Sequence, residues 1–322
     1  MSFANVPILQ RVRSGKIPSM LTYLRFKATA TALRFLVSLR DTSSPANPDE
    51  TIQIPSRDEG RTIKAHVYRP SATRSKPGPV LVNFHGSGFV IPMHGSDDEF
   101  ARRVAQDAEY TVLDVSYRLA PEYPFPAAIN DVEDVVNWVL SICGTDANSD
   151  SNHGLEFDRS RISISGFSAG ANLALVASSQ IFPKTTFRHV IAFYPPIDLA
   201  KDPYSKVAPD PNGRPIPAPV ASFFDQCYLS SGVERKDPRV SPFYAAAESF
   251  LGSMLVVTCG RDSLCSEAEE LVCKIKGVRG EDVVHWRAEG CNHGWDKRCQ
   301  PGSEEEKAKE YAYRLAVEIL NK

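Results

Sequence analysis

Arg161-Ile162-Ser163-Ile164-Ser165-Gly166-Phe167-Ser168-Ala169-Gly170 runs straight into Ala171-Asn172-Leu173-Ala174-Leu175-Val176-Ala177. The first part carries isoleucines at alternate positions, the last is built mostly of good helix formers, and G-x-S-x-G stands between them. A strand that turns sharply through such a pentapeptide into a helix forms a nucleophile elbow. Gly166 and Gly170 leave room where neighbouring backbone must come close. Ser168 is then exposed at the top of a sheet, with a helix N-terminus beneath it that favours developing negative charge. The same five letters also occur in ordinary surface turns before helices, so the rest of the chain decides the reading.

Outward from the elbow, strand-like and helix-like stretches alternate. Thr51–Pro55 and Thr62–Tyr68, separated by the charged turn 57–60, read as a hairpin at a sheet edge. Pro79–Phe84 is a nearly continuous apolar run, as in a strand buried on both faces. Ser96-Asp97-Asp98-Glu99 has capping-box spacing and opens a helix to about Ala108. Strand 111–117, helix 128–140, the elbow unit, strand 190–194, strand 254–258, helix 266–276, strand 283–286 and helix 304–320 follow. Thr42–Pro48, Ser71–Gly78 and Thr145–Gly154 read as loops. Such alternation implies a mostly parallel sheet with helices on both faces.

Two stretches fall outside the alternation. In Ser19–Arg40 the apolar residues Leu21, Leu24, Ala28, Ala32, Phe35 and Leu39 recur at helical spacing among Arg25, Lys27, Arg34 and Arg40. This reads as a helix docked by that stripe on its own domain, rather than on a membrane surface. Residues 201–237 are rich in proline and then carry the aromatic piece Phe223–Tyr228. Residues 1–48 are therefore expected to be N-terminal cap helices, and 49–322 a catalytic domain with a cap insertion at about 201–237. Both pieces would lie over the carboxyl ends of the strands, where such sheets carry their sites.

With 322 residues, 42% hydrophobic and 24% charged, the chain can bury a sizeable core. A net charge of −2 gives no general reason to expect nucleic acid or an anionic membrane as partner. No signal peptide and no uncharged apolar run long enough to span a bilayer is visible, so stable membrane insertion is not expected. Seven cysteines (143, 227, 259, 265, 273, 291 and 299) include no C-x-x-C pair, which suggests neither a disulfide framework nor a zinc site. The default location is cytoplasmic.

A serine hydroxyl is a poor nucleophile until an imidazole accepts its proton, and the imidazole needs a carboxylate to orient it. In this topology the chain order is Ser, then Asp or Glu, then His. His293 lies in a loop between the last strand and the last helix, whereas His189 opens a strand and His285 sits inside one. Asp262 directly follows strand 254–258, while Asp198 and Asp237 border the insertion. The candidate catalytic residues are thus Ser168, Asp262 and His293. Ala169 N–H, just after the nucleophile, and N–H groups from His85-Gly86-Ser87-Gly88-Phe89 would face the oxyanion of a tetrahedral intermediate.

HGSGF at 85–89, YRLAPEYPFPAAINDVEDVVNWV at 117–139, GFSAGANLAL, YPPIDL at 194–199, DPRVSPFYA at 237–245, GRDSL and NHGW follow one another in order. This set resembles the hormone-sensitive lipase family of α/β-hydrolases. The resemblance implies the α/β-hydrolase fold and carboxylester hydrolysis by Ser168, Asp262 and His293, with an oxyanion hole from the N–H groups of Ser87, Gly88 and Ala169. It implies no metal or cofactor, a small-molecule ester as substrate and, in many relatives, a homodimer through about 283–320. The family usually has glycine where Ser87 stands, aspartate at Phe167 and glycine at Ala171; these departures read as retuning. Candidate substrate contacts are Phe89, Phe167, Phe223, Phe224, Tyr228 and Trp295, with Leu21 and Leu24 as further apolar candidates. Short-to-medium acyl esters are the expected substrates, including a secondary-metabolite ester or lactone. Two other readings stay open: an acyltransferase or other non-hydrolytic enzyme with the same triad, and a ligand-binding protein on the same fold.

Overall fold

A computed structural model describes residues 20–40, 45–71, 77–144, 153–251 and 253–322. The expectations for residues 1–19, and for parts of the loops at 42–48, 71–78 and 145–154, lie outside them. Eight strands form one sheet: β1 Glu50–Pro55, β2 Thr62–Tyr68, β3 Gly78–Phe84, β4 Thr111–Val115, β5 Phe157–Phe167, β6 Val190–Phe193, β7 Met254–Cys259 and β8 Val283–Ala288. Their spatial order is β1-β2-β4-β3-β5-β6-β7-β8. β1 and β2 pair antiparallel, as does β2 with β4, and the other neighbours are parallel. No described helix is long and apolar enough to cross a membrane.

Alternation along each strand sorts side chains between two cores. Val80, Val82 and Phe84 face a layer that holds α3 Ala127–Ser141, α4 Ala169–Val176 and α6 Cys265–Arg279. Leu81 points to the opposite layer, made by α2 Asp98–Asp107 and α7 Glu304–Leu320. Ile162 and Ile164 take the first side, and Phe167 the second. Each large apolar side chain buried this way contributes about 1.5–3 kcal/mol.

Two local expectations are corrected. The capping box at 96–99 does not form: Asp97 precedes α2 but makes no cap bond, because its carboxylate takes Asn83 Nδ2 at 2.8 Å and the Lys297 ammonium at 2.8 Å. The strand read as 111–117 ends at Val115. Tyr117 turns away so that its hydroxyl donates to His85 O at 2.8 Å, which ties this strand end to the loop after β3.

α1 Met20–Arg40 exists, but it docks by a different face than its pattern suggested. Leu21 (78% exposed), Leu24, Phe35 and Leu39 lie on the solvent side. Ala30 is fully buried, and Phe26, Leu33 and Val37 pack beside it. Arg34 decides between the stripes: it pairs with both oxygens of Glu122 at 2.9 Å and donates to Val90 O and Ala120 O. The bidentate geometry adds directional specificity to the apolar contacts and fastens the helix with the second stripe inward. Within the 201–237 stretch, α5 Ala218–Tyr228 forms and its Phe223 meets α1 at Phe26, ring centroids 6.1 Å apart.

Candidate active site

β5 ends in the elbow. Ser168 has φ 49° and ψ −118°, a backbone setting that non-glycine residues seldom adopt. It is held there from both sides, since Ser168 N–H donates to Phe193 O at 2.9 Å and Ser168 O accepts from Asn172 N–H at 3.1 Å. The flanking glycines are needed for space: a Cβ on Gly166 would stand 2.7 Å from Ala171 N, and one on Gly170 2.5 Å from the Phe84 carbonyl carbon.

His293 comes from the loop after β8 and Asp262 from the loop after β7. His293 Nε2 lies 2.8 Å from Ser168 Oγ, and His293 Nδ1 lies 2.6 Å from Asp262 Oδ2. Asp262 is 1% exposed and its other oxygen accepts Leu264 N–H at 3.1 Å, so the oxygen facing the imidazole is fixed. Tyr194 lies edge-on to the imidazole at 4.8 Å. His189 and His285 instead bond Ser253 and Thr258, and Asp198 and Asp237 serve local turns.

The loop after β3 supplies the facing wall. Tyr117 O–H donates to His85 O, so Ser87 Oγ donates to Tyr117 at 2.7 Å and accepts Phe89 N–H at 2.8 Å. The hydroxyl that replaces the family's glycine is thereby consumed in holding the loop. Among the described residues, the N–H groups of Ser87, Gly88 and Ala169 donate to no protein acceptor. Such free donors can serve a developing oxyanion. Complete burial keeps His85 below the usual histidine range, hence neutral, and its ring stacks on Tyr117 at 4.6 Å. Ser87→Gly is expected to lower stability by about 1–2 kcal/mol through loss of these two bonds. Its kcat is expected to stay within about threefold; thermal melting and initial rates check both.

A cleft of about 60 Å³ opens over Ser168, with Gly88, Phe89, Leu199, Ile216, Phe224 and Leu264 among its walls. Of the expected contacts, it gathers only Phe89 and Phe224. Phe224 covers Gly88 so closely that a Cβ there would meet the ring at 2.6 Å. The other four point elsewhere. Phe223 turns to α1, and Tyr228 lies buried beneath Phe89, rings stacked at 3.7 Å. Trp295 and Phe167 pack in the α2/α7 core. Leu21 and Leu24 of α1 are exposed rather than lining the cleft. The pattern missed Asp225, Lys206, Leu199 and Ile216. Only Ala221, Phe224 and Asp225 carried a signal, as an i, i+3, i+4 stripe on α5.

Phe167 sits under a buried charge cluster. The Lys297 ammonium is 3.4 Å from its ring centroid and pairs with Asp97 and Asp296 at 2.8 and 2.9 Å. Burial opposes this charge, but the two carboxylates prevail and hold Lys297 above the usual lysine range. Tyr194 and Tyr313 donate to the two oxygens of Asp296 at 2.7 and 2.8 Å, so the cluster also fixes the ring that flanks His293. His66, His94 and Asp114 bring ligand-type atoms within 4.8 Å of one another. The two imidazoles lie 4.0 Å apart with their planes tilted by 34°, and His94 Nε2 is already engaged by Asp114 O at 2.9 Å.

A profile described as alpha/beta hydrolase fold matches residues 81–297. The chain is 29% identical to the ethyl acetate hydrolase of Pseudomonas putida over 65% of its length, and 30% identical to tuliposide A-converting enzyme 1, chloroplastic, of Tulipa gesneriana over 76%. Each match spans 64% of the relative, somewhat less than two thirds. Among solved structures, a hyperthermophilic esterase of Pyrobaculum calidifontis superposes with a TM-score of 0.71 at 27% identity, covering 93% of this chain and 92% of that one.

Proposed function

The chain belongs to the alpha/beta hydrolase fold family, among its carboxylesterase-like members, and we propose that it is a serine carboxylesterase cleaving short-chain esters. The observation that carries the reading is the unbroken hydrogen-bond chain Ser168 Oγ–His293–Asp262, at 2.8 and 2.6 Å, beneath a cleft that Gly88 also lines. Ser168 attacks the ester carbonyl as His293 Nε2 takes its proton. The oxyanion then forms against the N–H groups of Ser87, Gly88 and Ala169. His293 returns the proton to the departing alcohol, and the same imidazole later activates water against the acyl-enzyme. Asp262 holds Nδ1 protonated, so that Nε2 stays the acceptor.

The small volume of the cleft, about 60 Å³, and its apolar walls support short acyl groups. With p-nitrophenyl esters, acetate and butyrate are expected to exceed octanoate at least tenfold in kcat/KM. Equal or better octanoate turnover overturns the short-chain reading. A relative named for converting a single compound supports a dedicated ester or lactone as the natural substrate.

Residues 1–48 and 201–237 are read as the cap, through α1 and α5. β8 is a sheet edge available to a second copy, which supports a homodimer. All seven cysteines are free thiols, in keeping with a reducing, cytoplasmic setting.

A further inference from the structure

The cleft over Ser168 is mostly apolar but carries two charged side chains, Lys206 and Asp225. They differ in what the protein already gives them. Lys206 is committed: its ammonium pairs with Glu267 at 2.7 Å and donates to Asp198 O at 2.7 Å, with both side chains more than nine-tenths buried. Glu267 in turn accepts the N–H groups of Ile197 and Asp198.

Asp225 has no such settlement. Among the described residues the one cation within ion-pair reach is Arg235, at 3.6 Å, beyond a good hydrogen bond. Arg235 is 40% exposed and directs the same nitrogen to Leu199 O at 2.7 Å. On α5, Ala221, Phe224 and Asp225 share the stripe that faces the cleft. A carboxylate thus stands in the wall of a narrow apolar cleft, beside the nucleophile, with little of its accepting capacity used. A polar group held this way is costly unless something entering the cleft supplies a donor.

We propose that Asp225 forms an anionic subsite, and that the ester accepted here carries a hydrogen-bond donor, a hydroxyl or an ammonium, on the short chain lying beside Ser168. The proposal rests on the esterase reading above. A site that must hydrogen-bond its ligand rejects an analogue lacking the donor far more strongly than an apolar pocket rejects a missing methylene. Burial raises Asp225 to about 6, against the pull of Lys206 and Arg235 and with Glu267 adding to the rise, so above that pH the carboxylate is charged.

The test measures kcat/KM for ethyl butanoate, ethyl 3-hydroxybutanoate, ethyl 3-aminopropanoate and 2-hydroxyethyl butanoate, the last carrying its donor on the alcohol side. At pH 8 the wild type is expected to favour at least one donor-bearing ester over ethyl butanoate by tenfold or more. Asp225→Asn, its fold checked by fluorophosphonate labelling of Ser168, should cut that ratio about tenfold. Arg235→Gln, which removes the competing cation, should raise the ratio for the aminopropanoate about threefold. The wild-type ratio for that ester should fall as pH drops through about 6, because Asp225 takes up a proton and loses its attraction for the ammonium. Preference for ethyl butanoate over all three donor esters, or an Asp225→Asn loss that is equal for all four, overturns the subsite while leaving the esterase intact. No turnover of any ester together with no labelling overturns the esterase reading and the subsite with it.

Discussion

Ser168→Ala is expected to lower kcat/KM for p-nitrophenyl acetate by about 10⁴–10⁶ and to abolish labelling by a fluorophosphonate, with no change in melting temperature beyond a few degrees. The size follows from what the hydroxyl does in the proposed mechanism. Without it there is no acyl-enzyme, and only the oxyanion donors and substrate positioning remain to speed attack by water. Asp262→Asn should cost about 10⁴ by a different route, because an amide facing Nδ1 favours the wrong imidazole tautomer. Ser168→Ala protein that keeps turnover sinks the mechanism. Wild-type protein that labels at Ser168 but hydrolyses no simple ester, while passing an acyl group to an added alcohol, moves the acyltransferase reading ahead. Neither labelling nor turnover moves the ligand-binding reading ahead.

Gly170→Ala is expected to be among the most damaging single methyl groups that can be added to this chain. The new Cβ would stand 2.5 Å from the Phe84 carbonyl carbon and 2.7 Å from His85 O, closer still to Phe84 O. All three belong to the backbone of β3 and the loop after it, so no side chain can swing aside. Either α4 withdraws from the sheet or the strand end moves. Both displace the elbow and the free N–H groups together. A loss above about 4 kcal/mol is expected, seen as a melting temperature lower by roughly 10 °C or as insoluble protein. Gly277→Ala is the matched control: that glycine lies in α6 with nothing within 4 Å of a new Cβ. It should stabilise the protein by about 0.5–1 kcal/mol. Gly170→Ala protein that melts with the wild type would show that the elbow is not packed against β3 as described.

Much of the site was legible because its parts sit at punctuation points. The elbow, the HGSGF loop, Asp262 and His293 each follow a strand, and a parallel sheet brings all such loops to one edge whatever the details of packing. Phe167 obeys the period of its own strand. Ile162 and Ile164 put one face of β5 toward α3 and α4, so Phe167, odd-numbered with Ser163 and Ser165, had to face the other core. The period of β5 therefore keeps Phe167 out of the cleft. Trp295 and Tyr228 were harder, since nothing in an irregular loop or at a helix end states which way a large ring turns.

α1 marks the limit of periodicity. Leu21, Leu24, Ala28, Ala32, Phe35 and Leu39 form an apolar stripe as good as the one that is buried, and spacing alone cannot rank two such stripes. The choice was made by Arg34 reaching Glu122, 88 residues away in sequence.

The sequence by itself determined the order of strands and helices, the elbow at Ser168, and which loops share an edge with it, because these follow from local periods and from the handed geometry of alternating strands and helices. The tertiary structure alone decided which face of α1 is covered, that the Ser87 hydroxyl is occupied by Tyr117, and that Asp225 stands underpaired in the cleft wall. Each of those depends on partners distant in the chain, and local pattern carries no information about which distant group wins a side chain.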